Sequence, residues 1–192
     1  MSDAQPRRSK AVLWIMLALT VAPVAGSYLL YRFWPPEDTV NYGELIEARR
    51  LPDAMLARAD GAEFRASAWR GKWVLVMIDS ASCDAYCGKK LYYLRQVRLA
   101  QGKEMGRVER AFLIDDKAPL SPEKLAPFDG TWLLRAGGKE NFLEAFPAAG
   151  PRAAHIYLVD PLGNVILRYP RDPDPGRMIK DLKRLLKVSR IG

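Results

Sequence analysis

The chain has 192 residues, a formal charge of +8 at pH 7, 49% hydrophobic residues and 27% charged residues. That length accommodates a membrane anchor and one globular core, and the composition excludes both a largely disordered chain and a polytopic membrane protein. Much of the charge sits at the two ends, in Arg7, Arg8 and Lys10 and in Lys180, Lys183, Arg184, Lys187 and Arg190. No nucleic-acid-binding module accompanies it, so nucleic acid is not an expected partner, whereas anionic lipid headgroups or an acidic protein are compatible with it.

Residues 1–10 read as a cytoplasmic leader. Residues 11–31, AVLWIMLALTVAPVAGSYLLY, carry no charge, and about twenty apolar residues are what a transmembrane helix needs. Basic residues precede this run, while Arg32 is soon followed by Glu37 and Asp38. The positive-inside rule then places the N-terminus in the cytoplasm and the rest of the chain outside the membrane. Trp14 near one end of the run, and Tyr28, Tyr31 and Trp34 near the other, suit interfacial anchoring. A cleaved signal peptide is the alternative, with Ala22, Ala25, Gly26 and Ser27 as small residues for a peptidase; it exports the same domain.

Residues 32–50 are polar and punctuated by proline, and read as a tether ending in a short edge element. The globular domain is expected over 51–192. Asp60-Gly61 signals a hairpin turn. Trp73 to Ile78 is a continuous run of β-formers, the pattern of a strand buried on both faces. Leu91, Leu94 and Val97 recur at helical spacing behind it, with Arg95 and Arg98 on the solvated side. Val108–Asp115 predicts a second buried strand, and Ser121-Pro122-Glu123 a short helix with a serine cap. His155–Val159, the turn Asp160-Pro161-Leu162-Gly163 and Asn164–Tyr169 predict a β-hairpin. Asp174-Pro175 opens a last helix with Ile179, Leu182, Leu185 and Leu186 on one face and Lys and Arg on the other. The expected class is α/β, a mixed sheet flanked by helices.

The two cysteines, Cys83 and Cys87, follow the most secure strand and stand at or near the start of the next helix. Open α/β sheets bind ligands at the C-terminal ends of their strands, and a helix N-terminus favours the thiolate, which is both nucleophile and metal ligand. In one continuous helix, residues four apart share a face and have Cα atoms ~6 Å apart, within disulfide range. A purely structural disulfide is the alternative. A loop this short stabilises by roughly 2 kcal/mol on the chain-entropy model, so it would staple little.

Gly71-Lys72-Trp73-Val74-Leu75-Val76, Cys83-xxx-Cys87 and Tyr157-Leu158-Val159-Asp160-Pro161-Leu162-Gly163 together resemble the SCO/SenC proteins. These are membrane-anchored, thioredoxin-like proteins that deliver copper to cytochrome c oxidase or reduce its copper-site cysteines. The resemblance implies a thioredoxin-like fold, a redox and copper-binding role for Cys83 and Cys87, and a histidine as third ligand. Its partners would be an oxidase subunit or the oxidase assembly factors, besides the lipid bilayer. The implied place is the bacterial inner membrane, crossed once, with the C-terminal domain in the periplasm. The sequence departs from the family pattern. Asp84-Ala85-Tyr86 stands between the cysteines and Gly88 after them, where the family has Pro and Asp between and Pro after. Ungapped alignment puts Arg152 at the histidine position, and His155, three residues later, would point to the opposite face of a strand. A thioredoxin-type reading also meets departures, because the spacing is CxxxC rather than CxxC and Ala154 replaces that family's proline.

Three functions therefore stand open. One is copper handling in oxidase assembly, with Cu(I) on Cys83 and Cys87 and His155 joining if geometry allows. Another is a general envelope thiol-disulfide oxidoreductase. The third is a catalytically silent docking or assembly protein. Asp79, Asp84, Tyr86 and Arg152 are the further residues placed nearest the expected site.

Overall fold

The computed structural model describes residues 8–33, 41–120 and 122–191. The chain divides into two compact units, one ending at Val40 and the other beginning at Asn41. In the first unit the uncharged run forms helix α1, Arg8–Phe33, with Pro23 inside it. From Lys10 to Phe33 it is apolar on every side and long enough to cross a membrane. The Thr20 hydroxyl donates to Met16 O and Leu17 O, which satisfies it within the helix itself. Arg7, Trp34 and the first part of the expected tether lie outside the described residues.

The second unit runs β1 (Glu44–Arg50), β2 (Met55–Arg58), β3 (Glu63–Arg65), β4 (Trp73–Asp79), α2 (Ala85–Leu99), β5 (Val108–Ile114), α3 (Pro122–Leu125), β6 (Trp132–Arg135), α4 (Glu140–Leu143), β7 (Ile156–Val159), β8 (Asn164–Tyr169) and α5 (Pro175–Val188). The strands form one mixed sheet in the order β1-β8-β7-β4-β5-β6-β2-β3. Strands β4, β5 and β6 are parallel; β4–β7, β7–β8, β8–β1, β6–β2 and β2–β3 are antiparallel. The α/β class is therefore as expected, and the Asp60-Gly61 turn and the hairpin around Asp160–Gly163 close where their residues predict. The serine cap expected at Ser121 lies outside the described residues.

Strand β1 is the short edge element expected at the end of the tether, now joined to the sheet, whereas β6 and α4 have no counterpart in the sequence expectation. Strand β1 pairs with β8 through Glu44↔Arg168 and Leu45↔Leu167, so the sheet already includes residues 44–50, seven residues ahead of Leu51. Its residues are almost all exposed. An edge strand held by its ladder rather than by burial has no apolar alternation to betray it. Strand β6 has only four residues, two of them leucine, between glycines. It is recognisable as a strand through its parallel pairing with β5 and its antiparallel pairing with β2.

The sheet carries a core on each face. On one, Leu75, Met77, Phe112, Ile114, Ile156 and Leu158 pack with Cys87, Leu91, Leu94 and Val97 of α2 and with Met178, Leu182 and Leu186 of α5. On the other, Val74, Val76, Ile78, Leu113, Tyr157 and Val159 pack with Trp69, Phe142, Leu143 and Phe146. Strand β4 thus alternates between two buried layers, which is why its sequence is unbroken hydrophobe.

Entry into this sheet depends on a close approach at Gly43. Its N–H donates to Asp181 Oδ2 at 2.8 Å and the Tyr42 N–H donates to Asp181 Oδ1 at 2.9 Å, so a buried carboxylate on α5 pins the segment leading to β1. A Cβ at Gly43 would lie 2.1 Å from Leu167 Cδ2 and 2.7 Å from its Cγ. Leu167 is wholly buried and has nowhere to retreat. Gly43→Ala is expected to cost about 1–3 kcal/mol by overpacking, read as a lower urea midpoint with the m-value unchanged.

Candidate functional site

Strand β4 ends at Asp79, and the chain turns through Ser80–Asp84 before α2 begins. The turn is held from within and from the neighbouring strand end. Ser80 N–H donates to Asp79 Oδ1, Cys83 N–H to Ser80 O, and Ala81 N–H to Asp116 Oδ1 just beyond β5. Asp84 is the N-cap of α2 and accepts from Cys87 N–H at 2.8 Å. The site therefore lies at the C-terminal ends of two parallel strands and the N-terminus of a helix, as the spacing predicted.

Cys83 and Cys87 are joined as a disulfide with Cα atoms 5.1 Å apart. One part of the sequence expectation changes here: the pair does not lie on one helical face. Cys87 is in the first turn of α2, whereas Cys83 precedes the N-cap with φ 41°. The chain reaches Cys87 from the left-handed region, a conformation that a residue with a Cβ adopts only when its surroundings impose it. Cys87 is wholly buried and Cys83 is 7% exposed, so only Cys83 presents an edge to solvent.

On α2, three residues after Cys87, lies Lys90, a residue that sequence reasoning missed. Its ammonium is fully buried, 2.7 Å from Asp79 Oδ2, donates also to Ala153 O, and stands 5.2 Å from the centre of the Tyr86 ring. Burial pushes this lysine below its ordinary value, and the Asp79 carboxylate opposes that shift. The available signal was positional, since Lys90 is three residues after Cys87 and next to Leu91 on the core stripe of α2. Tyr86 fastens the same helix end from outside. Its hydroxyl donates to Ala154 O at 3.1 Å and accepts from Asp172 N–H at 2.9 Å.

Acidic groups surround the turn. Asp115 is held above the usual carboxylate range, first by desolvation and then by its neighbours Asp116 and Asp79. Asp116 is held below that range by the Ser80 hydroxyl and by the Ala81 and Ala118 amides. Two more thiolate charges would add to this negative field, which favours the disulfide or a bound monocation over a free dithiolate.

Of the other residues expected here, Asp79, Asp84 and Tyr86 are built into the site. Arg152 turns away and donates from Nε to Phe146 O. His155 shares the strand parity of Tyr157, whose ring it meets edge-on at 6.1 Å, and Tyr157 belongs to the core on the opposite side of the sheet from Cys87. Its Nδ1 lies 2.9 Å from Tyr169 O. A carbonyl can only accept, so Nδ1–H is the donor of this contact. Among the described residues no group of three or more His, Cys, Asp or Glu side chains is gathered in metal-binding proximity. The donor set at the turn is therefore two sulfurs, which suits Cu(I) once the disulfide is reduced and lacks the nitrogen ligand that Cu(II) prefers.

A family model described as the transmembrane-like, thioredoxin-like C-terminal domain matches residues 73–189. No curated protein matches the sequence. Among solved structures the chain is similar to yeast Sco1 with copper bound, at 19% identity and TM-score 0.61 over 79% of this chain and 96% of that one. It is similar to Bradyrhizobium japonicum ScoI with copper bound, at 20% identity and TM-score 0.54 over 74% and 98%. It is also similar to the thioredoxin domain of a Bacteroides vulgatus thiol-disulfide oxidoreductase, at 19% identity and TM-score 0.53 over 77% and 99%. At these identities the likeness is one of fold, and the fold is thioredoxin-like.

Proposed function

This chain belongs to the family of transmembrane-like, thioredoxin-like C-terminal domains, and from that footing we propose that it is a membrane-anchored thiol-disulfide protein whose Cys83–Cys87 pair also carries Cu(I) in cytochrome c oxidase assembly. The observation that carries the reading is the disulfide itself, set across the N-terminus of α2 with Cys87 wholly buried and Cys83 at 7% exposure the nearer of the two residues to solvent. The SCO-like sequence features, and structural neighbours described as copper-bound, support copper as the cargo. In this reading α1 anchors the chain in the bacterial inner membrane with its N-terminus in the cytoplasm, and the sheet domain works in the periplasm on an oxidase subunit or its assembly factors.

The chemistry follows from accessibility. In the reduced protein the Cys83 thiolate attacks one sulfur of a partner disulfide, and the other partner sulfur leaves as a thiolate. The Cys87 thiolate then attacks Cys83 Sγ and expels the second partner sulfur. The Cys83–Cys87 disulfide remains, and two electrons have passed to the partner. The helix N-terminus stabilises each thiolate in turn. When both are reduced, Cys83 and Cys87 would hold Cu(I) as a soft two-sulfur pair, and the surrounding carboxylates favour the cation.

Titration of the full chain in detergent against dithiothreitol and glutathione buffers, with alkylation of free thiols and mass spectrometry, is expected to show one two-electron transition while the fold remains intact by circular dichroism. A bond that opens only on unfolding would reduce the cysteines to a staple and leave the docking function. A reversible bond with no Cu(I) affinity would instead favour the general envelope oxidoreductase, the reading supported by the oxidoreductase among the structural neighbours.

A further inference from the structure

Helix α5 has a second face for which the site has no use. Its inner side is fixed by burial of Met178, Leu182 and Leu186 and by Asp181, the only acidic residue of the helix, which is turned inward onto the Tyr42 and Gly43 amides. Both ends are tied. Asp174 caps the N-terminus, and Arg107 donates to Leu186 O, Ser189 O and Ile191 O at the C-terminal end. Arg177, Lys180, Lys183, Arg184 and Lys187 are all exposed, and at about 100° per residue they occupy roughly one third of the helix circumference, opposite the buried stripe. Among the described residues none of the five takes part in an ion pair.

Like charges three and four residues apart on a helix repel one another, and nothing on α5 itself offsets that repulsion. Beyond its last basic residue, Val188 is 79% exposed and Ile191 53% exposed. With its apolar face already buried in the core, α5 offers an interface its basic face and the few exposed apolar side chains beyond it, which is the chemistry that attracts anionic headgroups at a surface. We infer that the outer face of α5 binds the anionic headgroups of a lipid bilayer. The inference rests on the membrane anchor proposed above, in which α1, long and apolar enough to cross a bilayer, brings the chain its own lipid surface. Each cation near such a surface adds to the attraction, which salt screens. The inference is independent of the cysteine chemistry and stands whether or not copper is carried.

The test uses the full chain in nanodiscs of phosphatidylcholine alone or of a phosphatidylcholine–phosphatidylglycerol mixture. Acetylation of lysines by a water-soluble N-hydroxysuccinimide ester is followed residue by residue by mass spectrometry. Lys180, Lys183 and Lys187 are expected to react about fivefold more slowly on the anionic discs, and molar salt should restore their rates. Lys139, exposed at the start of α4, serves as control and should react equally on both. The double variant Lys183→Glu, Arg184→Glu should release Lys180 and Lys187 from protection with an unchanged melting temperature, since both substituted side chains point to solvent. Equal rates on the two discs would overturn the inference. Protection that persists on phosphatidylcholine and in molar salt would also overturn it, and would identify a protein contact in its place.

Discussion

Cys83→Ser and Cys87→Ser are each expected to abolish Cu(I) binding by the reduced full chain. A two-sulfur site has no third soft donor to fall back on, and among the described residues no further Cys or His is gathered at the turn. A serine hydroxyl does not replace a thiolate for Cu(I), because it is hard and stays protonated at neutral pH. Competition against a chromogenic Cu(I) chelator should give one equivalent for the unaltered chain and none detectable for either variant. His155→Ala should change the affinity by less than about tenfold, 1.4 kcal/mol, because the ring is committed to Tyr169 O and shares the face of Tyr157. Cu(II) should bind weakly. Tight Cu(II) binding lost in His155→Ala would show that the imidazole reaches the sulfurs and would refute the assignment of His155 to the far face. Retention of Cu(I) by both serine variants would place the metal elsewhere.

Lys90→Ala is expected to destabilise the domain by about 3–5 kcal/mol, the usual consequence of removing one partner from a buried pair. The lysine side chain is wholly enclosed, and the Asp79 side chain is only 16% exposed. The substitution would leave that carboxylate short of its cation, Ala153 O short of its donor and a cavity where the buried side chain had been. The double variant Lys90→Met, Asp79→Asn should recover most of the loss, since a neutral pair of similar volume removes the stranded charge. Urea unfolding of the variants reads both effects. A loss below about 1 kcal/mol for Lys90→Ala would mean that water reaches Asp79 and the pair is not insulated. The pair joins the end of β4, the first turns of α2 and the segment before β7, so its loss should also loosen the frame that holds Cys83 in the left-handed region.

Lys90 shows why part of the site could not be read in advance. In the sequence it is one of two adjacent lysines after Cys87, and although helix periodicity puts position 90 beside the core stripe, a lysine is assigned to solvent by residue type. What buries it is the arrival of Ala153, 63 residues further on, and of Asp79 at the strand end. The sequence could supply the residues but not their meeting. His155 is a related case. The family resemblance brought a histidine near the cysteines, and strand parity argued against it. The parity argument stops at residues 152–154, which form a 3-10 turn rather than strand, yet His155 itself has extended backbone and falls in step with Tyr157.

What the sequence determined by itself is what local periodicity and composition encode. The doubly buried strand β4 is built on the unbroken apolar run Trp73–Ile78, α2 and α5 carry stripes at helical spacing, the two hairpins are marked by Asp60-Gly61 and Asp160–Gly163, and α1 contains an uncharged run of membrane length. The position of Cys83 and Cys87 at a strand-to-helix junction follows from these elements. Tertiary structure alone decided what depends on partners distant in the chain. Strand β1 exists because β8 offers it a ladder, and β6 because β5 does. Cys83 sits outside α2 because Asp84 takes the cap and Asp116 pins the turn. A side chain's local pattern fixes which face it occupies, but its burial and its charge state are set by whichever segment packs against that face.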